Sequence, residues 1–180
     1  MSRQCPSVSL PLNGLGNPNG YRSKNAIEKG QLFSLESPDQ PEIVALIEEL
    51  DAYQTPLYPT ESYYGVDISA LSATNVLFAV GRSSDGAAAA CGALLVHPTY
   101  GELKRMFTKP AFRGKGLAGG LLAILEKEAR QRRCFHLMLE TGYLQREAIS
   151  FYESHGYRRR GPFGEYEDDP NSLFMEKVLD

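Results

Sequence analysis

The chain has 180 residues, 42% of them hydrophobic, and a net charge of −3. That length suits one ordinary domain with a real core, and the near-balanced charge leaves no basic footprint for nucleic acid. No run approaches the roughly twenty apolar residues of a membrane span, and Met1 to Asn19 lacks the pattern of a signal peptide, so neither a membrane nor a nucleic acid is expected as partner.

Cys5, Cys91 and Cys134 are odd in number and scattered, which argues against a disulfide framework. Cys91 and Cys134 sit in apolar runs and read as small core residues. His97, His136 and His155 share no ligand spacing, so no metal site is expected. A reducing cytoplasm is the expected compartment.

Residues 1–29 are rich in Pro, Gly, Asn and Ser and read as a flexible extension. Residues 30–180 then read as a single domain. Gln31 to Glu36 alternates weakly and suits a first strand. Pro41 suits a first helical turn, and Ile43, Leu46, Ile47, Leu50 and Tyr53 recur at helical spacing after it. A Pro/Tyr-rich loop over 58–67 leads to a short helical piece near Ile68 to Leu71.

Val76 to Val80 and Ala87 to Val96 are apolar strands separated by the turn Ser83-Ser84-Asp85-Gly86. After a second turn at Pro98 to Gly101, a strand runs from Glu102 to Lys109. Gly114 to Arg133 carries the strongest helical period of the chain. Phe135 to Thr141 is a strand, Gln145 to His155 a helix, and Gly156 a left-handed stop. Two short strands close the chain, Tyr157 to Arg160 and Ser172 to Val178. The order predicts a mixed α/β fold of the α+β type, largely antiparallel in its first half.

Between the strand at 102–109 and the long helix lies Arg113-Gly114-Lys115-Gly116-Leu117-Ala118-Gly119-Gly120. Glycines let backbone amides come close to a ligand, a helix start adds unpaired donors, and Arg113 and Lys115 add charge, so the segment asks for a phosphate or pyrophosphate. A plain capping turn is the bland reading. Gly114, Gly116 and Gly119 also satisfy a dinucleotide-binding spacing, but the preceding strand is not a buried run and too little chain follows for a doubly wound sheet. A P-loop fails because Lys115 does not follow the required spacer.

Arg113-x-x-Gly116-x-Ala118 resembles the R/Q-x-x-G-x-G/A signature of the GNAT superfamily of acetyl-CoA-dependent N-acetyltransferases. Leu103 to Pro110 resembles that family's fourth strand, and Ala148 to Tyr157 its A-x-x-(F/L)-Y-x-x-x-G-(F/Y) segment. The three pieces stand in the family's order over roughly residues 40–178. Leu139-Glu140-Thr141-Gly142 and the tail from Gly161 to Ser172 resemble a bacterial subgroup of small acetyltransferases. The resemblance implies a mostly antiparallel sheet of about 6–7 strands flanked by helices, with strands 4 and 5 splayed apart.

It also implies acetyl-CoA as co-substrate and, as acceptor, the primary amine of a small molecule, amino acid or peptide, attacking directly through a tetrahedral intermediate. Amides from Arg113, Gly114, Lys115, Gly116, Leu117 and Ala118 should hold the pyrophosphate. Met106, Phe107 and Thr108 should run beside the pantetheine arm, with a bulge at Met106 or Phe107 aiming an amide at the thioester carbonyl.

Tyr152 matches the family tyrosine near the coenzyme sulfur and is the candidate general acid; without the motif it would read as a core aromatic. Glu102 is the candidate general base, directly or through water, with Glu140 as rival and a solvated strand-end carboxylate as the bland reading. Gln145 stands where many relatives place a coenzyme-touching asparagine. Tyr63, Tyr64 and the loop Phe163 to Asp169 should line the acceptor side. There Glu165, Glu167, Asp168 and Asp169 would attract a cation, or Arg158-Arg159-Arg160 would recognise a carboxylate; either run also reads as a solvated face.

Relatives often form homodimers. The alternative function is a non-catalytic acetyl-CoA sensor or interaction module. Members of that kind often lose the tyrosine or the glycine loop, and both are intact here.

Overall fold

The computed structural model describes residues 26–28, 31–62 and 64–180. Two amphipathic stripes set its layering. Helix α1 (Pro41–Gln54) opens on a proline, whose fixed φ suits a first turn, and buries Ile43, Leu46, Ile47 and Leu50. Helix α3 (Leu117–Gln131) buries Leu117, Leu121, Leu122 and Leu125 along with Ile124 and Ala129. Each stripe needs an apolar surface, and a sheet buried on both faces supplies one to each.

The strands are β1 (Ala26–Glu28), β2 (Gln31–Leu35), β3 (Val76–Arg82), β4 (Ala88–Val96), β5 (Gly101–Thr108), β6 (His136–Gly142), β7 (Arg158–Arg160) and β8 (Ser172–Val178). They lie in the order β1-β2-β3-β4-β5-β6-β8-β7. Among the described residues every neighbouring pair is antiparallel except β5–β6, the pair that α3 links as a crossover. This is the mixed, mostly antiparallel sheet that the resemblance implied. The strand beyond its six or seven is β1, which lies inside the segment expected to be extension. Residues 1–25, and the flexibility expected of them, lie outside the described residues.

On one face, α1 packs against Val76, Phe78, Val80, Cys91 and Ala93. On the other, α3 packs against Phe33, Leu94, Leu103, Leu137 and Leu139, where Tyr152 of α4 (Arg146–Ser154) and Tyr157 join the cluster. Cys91 and Cys134 are fully buried, as their surroundings predicted. Helix α2 (Ile68–Leu71) is one turn long, capped by the Asp67 carboxylate accepting from the Ala70 amide at 2.8 Å. A third cluster, Met138, Phe163 and Phe174 with Tyr100 and Tyr166 against it, holds the loop between β7 and β8 onto the sheet.

The long helix begins at Leu117, not at Gly114, because Gly114 (φ +73°) and Gly116 (φ +88°) are left-handed and stay in the loop. Gly120 serves packing: a Cβ there would run into the Phe33 ring, which is 1% exposed. Helix propensity favours alanine over glycine by about 1 kcal/mol, but overpacking a core costs about 1–3 kcal/mol. Gly120→Ala should therefore lower the urea midpoint, and adding Phe33→Leu should restore part of the loss relative to Phe33→Leu alone. A stabilised Gly120→Ala would contradict this packing.

Candidate active site

The site begins where β5 leaves β6. Their parallel pairing covers Gly101↔Leu137, Glu102↔Met138 and Leu103↔Leu139 and goes no further. The closed end needs Gly101, where a Cβ would come within 2.8 Å of both Leu137 and Leu94. Beyond Leu103 the strands part, which is the splay the resemblance implied between the family's fourth and fifth strands.

A β-bulge accompanies the parting. Ala93 pairs with Lys104 and Cys91 with Phe107, so Gly92 alone faces both Arg105 and Met106. A side chain at Gly92 would collide with the Met106 sulfur. The bulge thus takes in Met106, one of the two positions expected, together with Arg105; Phe107 is already back in register.

Arg105 has φ +56°, a left-handed conformation that costs a non-glycine residue about 1–2 kcal/mol. Its side chain holds it there. Nε and Nη2 donate to the Val66 carbonyl at 2.9 and 2.6 Å, and Nη1 pairs with the Asp51 carboxylate of α1. The guanidinium side chain is only 6% exposed, so these partners replace water rather than compete with it.

On one side of the splay lies a cleft of about 740 Å³. Met106, Phe107, Thr108, Arg113, Gly114, Gly116, Leu117, Ala118, Gln145 and Tyr152 all line it. Lys115 does not; its ammonium sits 5.1 Å over the Phe112 ring. Sequence reasoning missed Leu50, Tyr53, Leu121 and Phe151, which also line this cleft. Only their apolar helical spacing marked them, and that spacing says "core" as readily as "cleft wall".

Among the described residues, the amides of Gly114, Gly116, Leu117, Ala118 and Gly119 donate no backbone hydrogen bond. They form a cradle of donors at a helix start. A Cβ at Gly114 or Gly116 would meet nothing within 4 Å, so both glycines are there for positive φ and not for lack of room. Arg113 stands at the rim, donating from Nε to the Thr108 carbonyl at 3.3 Å, with its guanidinium 5.5 Å over Tyr53. Free amides for a pyrophosphate and an apolar wall for a pantetheine arm are together what coenzyme A requires.

On the other side lies a smaller, more polar pocket of about 90 Å³, lined by Tyr58, Ser62, Tyr64, Lys104, Glu140 and Asn171 among others. The two spaces share Met106, Gln145, Ala148 and Tyr152. Tyr152 is 6% exposed, and its hydroxyl has no hydrogen-bond partner among the described residues. Burial pushes its pKa well above the ordinary tyrosine value, so it stays protonated.

The two candidate carboxylates differ. Glu102 lines neither space. It accepts from the Tyr166 hydroxyl at 2.6 Å and lies 3.3 Å from the Lys104 ammonium and 3.4 Å from His97 Nε2. Burial works to raise its pKa, but His97, Lys104 and Tyr166 outweigh it and hold the carboxyl below the ordinary value. Glu140 lines the polar pocket, and burial raises its pKa against the opposing pull of a 2.6 Å hydrogen bond from Ser172 and the charge of Lys104.

Tyr63 lies outside the described residues. Of the expected acceptor loop, Phe163 is buried in the aromatic cluster and Glu165, Glu167 and Asp168 are exposed. Asp169 caps the Asn171 amide at 2.8 Å and receives the Tyr64 hydroxyl at 3.4 Å. Arg158, Arg159 and Arg160 form β7 at the outer edge of the sheet and line neither space.

A donor cradle and a second pocket meet at one protonated tyrosine, an arrangement suited to acyl transfer from coenzyme A. The sequence model described as "Acetyltransferase (GNAT) family" matches residues 43–157. An "IAA acetyltransferase" of Azospirillum brasilense is 46% identical over 146 residues, covering 80% of this chain and 95% of its own. A Klebsiella pneumoniae structure assigned as an acyl-CoA N-acyltransferase is 36% identical, with a TM-score of 0.69 over 90% of this chain and 99% of its own. The PaiA N-acetyltransferase of Thermoplasma acidophilum, solved with coenzyme A, shares the fold at 18% identity, with a TM-score of 0.61 over 82% of this chain and 99% of its own. The chain belongs to the GNAT acetyltransferase family, and acetyl transfer is the general reaction that membership supports.

Gly116→Asp should weaken acetyl-CoA binding at least tenfold by calorimetry if these amides hold its phosphates, since it sets a negative charge among them. Its thermal unfolding should shift only by the roughly 1–2 kcal/mol of left-handed strain. Unchanged affinity would contradict the cradle.

Proposed function

We propose that the protein transfers the acetyl group of acetyl-CoA to a primary amine, with Tyr152 as general acid and Glu140 as general base. The observation that carries this reading is the meeting of the coenzyme cleft and the polar pocket at Met106, Gln145, Ala148 and Tyr152, with Glu140 on the polar side. Acetyl-CoA supplies the acetyl group as a thioester. Glu140 takes a proton from the arriving ammonium, and its raised pKa makes it a stronger base than an ordinary carboxylate. The amine nitrogen bonds to the acetyl carbon to give a tetrahedral intermediate, and its collapse breaks the carbon–sulfur bond. Tyr152 gives its hydroxyl proton to the departing sulfur and is refilled by the proton that the new amide nitrogen sheds.

Glu102 is the less suitable base. Its oxygens are committed to Tyr166, Lys104 and His97, and a carboxyl held below its usual pKa accepts protons poorly. Its part is to hold Lys104 and the Tyr166 loop in place.

Tyr152→Phe should lower kcat about 10²–10⁴-fold, read as free thiol released with a panel of amines, while acetyl-CoA still binds. Binding without turnover on any amine in the wild type would instead mark a sensor. A base must be ionised, so raising the Glu140 pKa moves the acid limb of kcat/KM to higher pH than an ordinary carboxylate gives. Glu140→Gln should remove that limb, and a limb that survives unchanged would exclude Glu140 as its source.

A further inference from the structure

Resting on the N-acetyltransferase reading above, we propose that the acceptor is a primary amine with no carboxylate next to it: a monoamine or diamine, not a free amino acid. The ground is how the cations around the acceptor pocket are already used. Among the described residues, two basic side chains line that pocket, Lys104 and Arg105.

An ammonium has three protons to give. Lys104 Nζ faces the Tyr64 carbonyl at 3.0 Å, the Tyr166 hydroxyl, and the Glu102 carboxylate at 3.3 Å, which accounts for all three. Its side chain is 12% exposed, so it has little freedom to turn toward a ligand. Arg105 is committed to Val66 and Asp51, where it holds the bulge. The three consecutive arginines lie at the far edge of the sheet, with Arg159 on Glu153 and Arg160 on Glu176.

The remaining charge facing the pocket is negative. Glu140 lines it, and Asp169 stands behind Tyr64, bonded to that hydroxyl. The neutral lining offers a lone pair on Ser62, whose oxygen accepts from Asn171 at 3.1 Å; the Tyr58 hydroxyl already accepts the Leu144 amide at 3.1 Å and the Gln145 side chain.

A substrate carboxylate entering this space would lose its water, meet no uncommitted cation, and stand close to Glu140. An ammonium meets the opposite conditions. Its charge is complementary to Glu140, and its N–H groups find oxygen acceptors. The same contrast applies to a second amine further along the acceptor, which is why diamines fall within the proposed class.

The test compares amines with the amino acids that carry the same side chain: 1,4-diaminobutane with ornithine, 1,5-diaminopentane with lysine, and phenethylamine with phenylalanine. Thiol release is followed at saturating acetyl-CoA. In every pair that turns over, kcat/KM should favour the member without a carboxylate at least tenfold. Glu102→Gln removes the anion that neutralises Lys104, so it should narrow that gap by lowering KM for the amino acid. A merely structural role for Glu102 would depress both members alike, and a gap that does not narrow would overturn the electrostatic argument. Equal or greater activity on the amino acids in the wild type would overturn the acceptor class while leaving N-acetyl transfer standing. Bound acetyl-CoA with no thiol released from any of the six would overturn N-acetyl transfer as well.

Discussion

Arg105 pays for the site. Its left-handed backbone bends β5 away from β6 after three paired residues, and its buried guanidinium ties the bend to Asp51 of α1 and the Val66 carbonyl. Strain of this kind persists only where its surroundings over-determine it, and here they come from two separate parts of the chain. Were the two strands paired to their ends, the space lined by Met106, Ala148 and Tyr152 would be filled by sheet. The slot, the exposed start of α3 and the placement of Tyr152 at the junction of two cavities all follow from that one departure from regular pairing.

The charges around the slot are sorted by the same geometry. Around the larger cleft, backbone amides and Arg113 make a surface suited to phosphate. Around the polar pocket each cation is neutralised by a carboxylate, Lys104 by Glu102 two residues earlier on β5 and Arg105 by Asp51 of α1. That leaves Glu140 facing the pocket, buried enough for its pKa to rise. Glu102 and Glu140 sit on adjacent strands, yet their environments push their pKa values in opposite directions. Such a divergence is a common way for one site to separate a structural carboxylate from a proton-accepting one.

Much of this was legible in the sequence. The apolar spacing of Leu117, Leu121 and Leu125 announces α3, the glycines before it announce a close approach of backbone amides to a ligand, and the residues around Tyr152 carry a recognisable pattern. What was not legible depends on partners far away in the chain. Arginine is not a residue whose presence suggests positive φ, so Met106 was expected in the bulge but Arg105 was not. Gly120 reads as one more loop glycine until Phe33 is seen lying across it. The choice between Glu102 and Glu140 turns on Tyr166, which comes 64 residues after Glu102, and on Ser172, which comes 32 after Glu140. Lys115 was expected to add its charge to the glycine loop, yet its side chain lies over Phe112. Local pattern fixes elements and backbone conformation; the protonation states and partners of single side chains are set by tertiary contacts.

The most direct test of the account is a crystal structure of the protein with coenzyme A. The diphosphate should rest on the amides of Gly114 to Ala118, the arm should pass between β5 and β6 beyond Leu103, and the sulfur should lie beside the Tyr152 hydroxyl. A coenzyme lodged elsewhere, or a β5 paired with β6 beyond Leu103 and without its bulge at Arg105, would contradict it.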